Sequence, residues 1–319
     1  MRLETIQEVA SKLDIKLPIG RPALSHLVQV QNEDNLTFEN FLSKFDTLRM
    51  FYRSPEVISR ITREAIQDAA RDNIFYLELR FTPVALSRAE RFPLNDVMDW
   101  VCESASQSAA ENGITVRLIA SVNRHEPIEL AEQVVWLSIN RREIGIVAID
   151  LAGNEALHPA LPFLGLFNEA RQAGLKITMH AGEWSGPQNV REAIEVFSSD
   201  RIGHGVRILE DPYTTALARE QGIPFEVCLT SNYQTGAIKE LAQHPVIGML
   251  ANGLNVTFNT DDPSISQITL SKEYQVAREI LKIPQEVIQQ RILAAARASF
   301  LPEGDKKKLI DLLSQHGAP

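Results

Sequence analysis

From residue 70 onward, short runs of apolar and β-branched residues alternate with longer amphipathic stretches, and each run ends in polar or charged residues. The runs are IFYLELRFTP (74–83), TVRLIASVNR (115–124), IVAIDLAGNE (146–155), KITMHAGE (176–183), RIGHGV (201–206), PFEVCLTSN (224–232) and NVTFNTDDP (255–263). Runs this short and this apolar predict strands buried on both faces. The intervening segments, LPFLGLFNEARQAG and VREAIEVFSS among them, carry the helical period. Glycines in ENGI, QAGL, EQGI and ANGL stand just before strands, where helices end. Alternation of this kind predicts a parallel sheet.

The polar residues gather at the C-terminal ends of the runs, and a (β/α)8 barrel builds its active site from those ends. An open doubly wound sheet is the rival, but no early strand is followed by the Gly-rich turn that fold uses. Residues 1–70 predict helices instead, over TFENFLSKFDTL and SPEVISRITREAIQDAARDN. The start, MRLETIQEVASKLDIKLP, is amphipathic and mixed in charge, a surface helix rather than a signal peptide. The expectation is an α/β protein, a (β/α)8 TIM barrel with its first β-strand missing from this chain. Without linker, repeat or composition break, residues 1–319 are expected to form a single domain.

Composition narrows the function. A net charge of −9 argues against nucleic acid as a partner and leaves a small uncharged molecule open. No apolar run reaches membrane length, so no membrane partner is expected. Cys102 and Cys228 form no ligand or redox motif, which suits a reducing cytoplasm.

Four clusters at the strand ends carry candidate chemistry. Taken singly, each has an ordinary explanation. His180 and Glu183 suit a core histidine and a solvated carboxylate; His204, between glycines, suits the tip of a tight turn. Asp262 before a proline suits a helix N-cap beside Asp261, while Asp150 and Gly153 suit a turn. In a barrel these ends converge on one bowl. Several ionisable groups there call for a compensating charge, and a divalent metal is the simplest. Imidazole with carboxylate suits zinc or a similar transition metal, and the set could run metal-assisted hydrolysis with a His orienting water and a Glu delivering protons.

HAGEWSGPQNV, RIGHGVRI, CLTSNYQTG and NTDDPSIS, in this order and spacing, resemble the adenosine deaminases of the metal-dependent amidohydrolase superfamily. FLSKFDTL, YLELRFTP, VAIDLAGNE, LSKEYQVA and ASFLP extend the resemblance over essentially the whole chain. It implies a (β/α)8 barrel that hydrolyses the exocyclic amine of a purine nucleoside, most simply adenosine to inosine plus ammonia, with one zinc per subunit. By motif, His180 resembles a metal ligand and Glu183 the acid that protonates the purine ring. His204 is similar to the histidine that orients the attacking water and helps deprotonate it. Asp261 resembles the carboxylate that binds both metal and water. Gly153 and Asp262, with Glu183, resemble the groups that hold the base.

The family also carries a His-x-His pair on its first strand, and this sequence has none. His26, His125, His158, His244 and His316 lack the setting of a ligand. Met1 falls where that motif would just have finished, so a longer native chain is expected, with on the order of ten residues more ahead of Met1. With only His180 and Asp261 as ligands, the chain as it stands is expected to bind zinc poorly, turn over negligibly and be less stable than an extended one. The alternatives are a deaminase of adenine or another aminopurine nucleoside, and a purine-binding pseudoenzyme without metal. The His-x-Glu and Pro-Cys-x-x-Cys signature of cytidine-type deaminases is absent, as is the Gly-x-Ser-x-Gly of serine hydrolases.

Overall fold

A computed structural model describes residues 1–18 and 20–315; His316 lies outside them. All seven predicted runs are strands: β1 (Tyr76–Phe81), β2 (Thr115–Asn123), β3 (Ile146–Ala152), β4 (Lys176–Ala181), β5 (Arg201–His204), β6 (Pro224–Val227) and β7 (Asn255–Phe258). They form one sheet in sequence order, every neighbouring pair parallel. Helices return the chain across its outer face. The helix Leu94–Asn112 ends at Gly113 with φ 64°, and Gly174, Gly222 and Gly253 stand at positive φ before the later strands. That backbone region favours glycine over every other residue, which is why these four glycines punctuate the sequence so legibly.

The sheet curls on itself. Arg80 of β1 donates to Glu226 Oε2 of β6 at 2.7 Å, and Arg201 of β5 meets Glu226 Oε1 at 2.7 Å and also pairs with Glu78 of β1. Thr178 of β4 reaches Glu226 Oε1 at 3.3 Å. Side chains of β1, β4, β5 and β6 can meet in this way only inside a closed or nearly closed wall. The Arg201 guanidinium also lies 3.6 Å from the centroid of the Phe300 ring. Among the described residues no pairing joins β7 to β1, so the wall is an eight-stranded barrel with one position not filled by a strand.

Among the described residues, four helices precede β1: α1 (Leu3–Lys12), α2 (Arg21–Val28), α3 (Phe38–Arg49) and α4 (Pro55–Arg71). Thr37 caps α3 by accepting from Asn40 N–H, and Ser54 caps α4 by accepting from Val57 N–H, with Pro55 as first helical residue. The amphipathic face of α1 buries Leu3, Ile6 and Val9. These join Leu24, Phe41 and Phe51 in a core of their own, which meets the barrel core at Tyr52 and Ile61. No helix among the described residues is long and apolar enough to cross a membrane.

Candidate active site

Because all strands run the same way, their C-terminal ends open on one cavity. Register sets His180 opposite Gly203, and Ala181 opposite His204, so the two imidazoles lie side by side with centroids 5.2 Å apart. Asp261 follows β7 in a tight turn. Two of these residues hold a backbone conformation that is rare outside glycine: φ is 62° at His204 and 56° at Asp261. Such strain costs on the order of 1–3 kcal/mol and persists only where surrounding structure enforces it. Here it aims both side chains inward. One donor atom from each of His180, His204 and Asp261 lies within 4.8 Å of the others.

Each of these groups is held from behind. Asp150 is fully buried, with Oδ1 3.0 Å from His180 Nδ1, so the imidazole presents Nε2 to the cavity. Ser121 donates to Asp150 Oδ2 at 3.0 Å, and Arg80 Nε lies 3.5 Å away. Burial alone would raise the Asp150 pKa, but the charges of Arg80 and His180 outweigh it and hold the carboxyl below its ordinary range. For His180 burial acts downward, and the Asp150 carboxylate more than reverses it. Ser231 donates to Asp261 Oδ2 at 2.6 Å.

Glu183 sits on the loop after β4, and a second carboxylate organises that loop. Glu155 accepts from the backbone N–H groups of Gly182, Glu183, Trp184 and Ser185 at 2.9, 2.7, 2.8 and 3.0 Å. Asn189 Nδ2 adds a further bond to it at 2.9 Å. Burial pushes Glu155 upward, yet these donors win and keep it ionised. Glu183 has the opposite balance: it is buried, and burial raises its pKa despite nearby His204. Its Oε1 accepts from Asn232 Nδ2 at 3.3 Å and Thr235 Oγ1 at 3.2 Å. That leaves Oε2, 3.5 Å from His204 Nε2, as the oxygen able to carry a proton.

Gly153 lies just past β3 with φ 95°, and a Cβ there would stand 3.3 Å from the Arg124 backbone nitrogen. Asp262 precedes the short helix Pro263–Ser266 at the N-cap position, but its side chain makes no capping bond. Burial, then the adjacent Asp261, raises its pKa well above the usual range. The ordinary explanation for this Asp-Pro pair therefore fails on geometry. Gly153, His180, Glu183, His204, Asp261 and Asp262 all line one cavity of about 1830 Å³. On its lining Trp184 packs against Phe38 of α3, the ring centroids 3.9 Å apart and the planes tilted by 44°.

The sequence places these six residues at strand ends but does not reveal their supports. Asp150 reads there as ordinary turn chemistry. Glu155 and Asn232 lie within strand-end runs with nothing to mark a role, and His244 lacks the setting of a ligand. Nothing in their local sequence distinguishes them; only the fold shows what they touch.

A family model described as adenosine deaminase matches residues 1–316. An adenosine deaminase of Klebsiella pneumoniae (strain 342) is 35% identical over 317 residues, spanning 99% of this chain and 94% of that protein. Among solved structures, an adenine deaminase from Arthrobacter aurescens matches with TM-score 0.89 at 25% identity, covering 99% of this chain and 94% of that one. The apo structure of the N6-methyl-AMP deaminase from Arabidopsis thaliana matches with TM-score 0.86 at 28% identity, covering 99% and 93%. Fold, strand-end constellation and near full-length similarity agree: the chain belongs to the adenosine deaminase family, whose members are metal-dependent hydrolytic deaminases.

Proposed function

We propose that the chain hydrolyses the exocyclic amine of a purine nucleoside, adenosine to inosine plus ammonia, with residues 1–319 acting as one deaminase unit. The observation that carries the proposal is a buried, protonatable Glu183 facing the cluster of His180, His204 and Asp261 at the head of a large cavity. The likeness to the Klebsiella adenosine deaminase favours the nucleoside as substrate.

His180 Nε2 and an Asp261 oxygen would hold the metal, and imidazole with carboxylate suits zinc in kind. When bound, a zinc ion supplies Lewis acidity and lowers the pKa of water. The chain's own groups do the rest. Glu183 gives its proton to a ring nitrogen, making the neighbouring carbon electrophilic, while Gly153 and Asp262 hold the base by its ring nitrogens. His204 orients the water. As the carbon–oxygen bond forms, Asp261 takes one proton and passes it to the amine, which leaves as ammonia. The remaining hydroxyl proton returns to Glu183, restoring the acid and leaving the product carbonyl.

The test is amine release by the zinc-supplemented chain: ammonia from adenosine and adenine, methylamine from N6-methyl-AMP. Release from adenosine first among the three supports the proposal; release from adenine or the nucleotide alone overturns the nucleoside assignment. A second reading, a purine-binding protein without turnover, is favoured by the donor count: two assigned ligands are fewer than the three that catalytic zinc draws from protein. Calorimetric binding of inosine without ammonia release would support it. The buried, unpaired thiols of Cys102 and Cys228 suit the cytoplasmic setting expected from the sequence.

A further inference from the structure

We propose that His244 and Asn232 are positioning residues that fix the tautomer of His204, so that its Nε2 carries the hydrogen and meets the reaction as a donor. The geometry stands alone; its catalytic consequence rests on the deaminase reading above. The relay starts from a group whose direction is fixed. The Val246 backbone N–H lies 3.1 Å from His244 Nδ1 and can only donate. In a neutral imidazole the other nitrogen, Nε2, must then carry the hydrogen. His244 stays neutral because it is almost fully buried, and burial, with His204 close by, pulls its pKa down to about 3.

His244 Nε2 reaches Asn232 Oδ1 at 3.4 Å, which sets the orientation of the amide. Asn232 Nδ2 then has two hydrogens to give, and two acceptors stand beside it: His204 Nδ1 at 3.0 Å and Glu183 Oε1 at 3.3 Å. Turning the amide over would set its NH2 against His244 Nε2 and require both ring nitrogens of His244 to be bare, which a neutral imidazole cannot satisfy. Asn232 is fully buried, so bulk solvent does not compete. His204 Nδ1 is therefore the acceptor. Its Nε2, 3.5 Å from Glu183 Oε2 and 4.0 Å from Asp261 Oδ2, bears the hydrogen.

Two consequences follow for the site. An Nε2–H orients a water by donating to its oxygen and cannot take its proton, so proton abstraction falls to Asp261. Coordination through His204 Nε2 is closed for the same reason, leaving His180 and Asp261 as the metal-facing pair.

The experiment is a long-range 1H–15N spectrum of the full chain labelled with 15N-histidine at neutral pH, with His204→Gln and His244→Gln used to assign the signals. A bare Nδ1 and a protonated Nε2 on both His204 and His244 is the expected result; a protonated Nδ1 on His204 overturns the proposal. Asn232→Asp supplies a second arm, because a carboxylate can only accept. His204 Nδ1 should gain a hydrogen in that variant while circular dichroism stays unchanged, and kcat should fall by on the order of a hundredfold. A variant whose His204 signals match the parent's overturns the relay. Ammonia release by the parent chain is scored separately, so loss of the deaminase reading and loss of the relay are distinguishable.

Discussion

Asp150 Oδ1 stands 3.0 Å from His180 Nδ1, while Ser121 and Arg80 hold the other carboxylate oxygen. A histidine backed in this way presents one defined nitrogen with increased basicity. Asp150→Asn keeps the shape and removes the charge. Zinc affinity, read by competition with a chromophoric chelator, should fall roughly tenfold or more; unchanged affinity would remove His180 from the ligand set.

Glu183→Gln retains an acceptor for Asn232 and Thr235 but has no proton to give to the ring. The expected loss in kcat is on the order of 10²–10⁴, the usual contribution of a general acid. Thermal unfolding should barely change. Residual turnover within a few-fold of the parent's would assign the proton to another group.

Glu273 offers a test by pH. It is fully buried, accepts from Thr230 N–H at 3.3 Å, and burial pushes its carboxyl from 4.5 up to about 7. The folded chain thus holds this proton more tightly than the unfolded chain. Its contribution to stability is most favourable below about pH 4.5 and is lost as pH rises through about 7. Glu273→Gln should flatten that slope, making the variant more stable than the parent by about 3 kcal/mol at pH 8 and nearly equal at pH 4.5. Urea unfolding at both pH values reads the difference; a variant no more stable at pH 8 refutes it.

Gly205 follows His204 with φ 64°, and a Cβ there would come 2.3 Å from Phe225 Cδ1, a ring fully buried in the barrel core. Gly205→Ala should cost about 2–3 kcal/mol through backbone strain and overpacking together. Because His204 is the neighbouring residue, kcat should drop as well. A denaturant midpoint unchanged from the parent's would contradict the packing argument.

The strands and the site residues were legible for one physical reason. A parallel barrel strand is buried on both sides, so it reads as an apolar run, and its polar tail marks the end that faces the bowl. His180, His204 and Asp261 were found in this way. The partners behind them were not, because a buried polar group is recognised only by what it touches. Asn232 lies 28 residues from His204, and His244 another 12 from Asn232. Asp262 is ambiguous in the sequence: Asp-Pro is an ordinary helix start, and only the missing capping bond shows that its side chain does not cap that helix.

The ionic tier beneath the site carries a consequence for descent. Glu78 and Arg80 belong to β1, Arg201 to β5 and Glu226 to β6, and each charge is answered from a different part of the wall. A hybrid barrel taking β1 alone from a relative with another pattern would leave Arg201 and Glu226 paired with each other but without Glu78 and Arg80, and breaking buried charge pairs in this way costs about 3–5 kcal/mol. Apolar strands can be traded one at a time within tolerance for volume. These three cannot, and they must pass from one sequence to the next as a set.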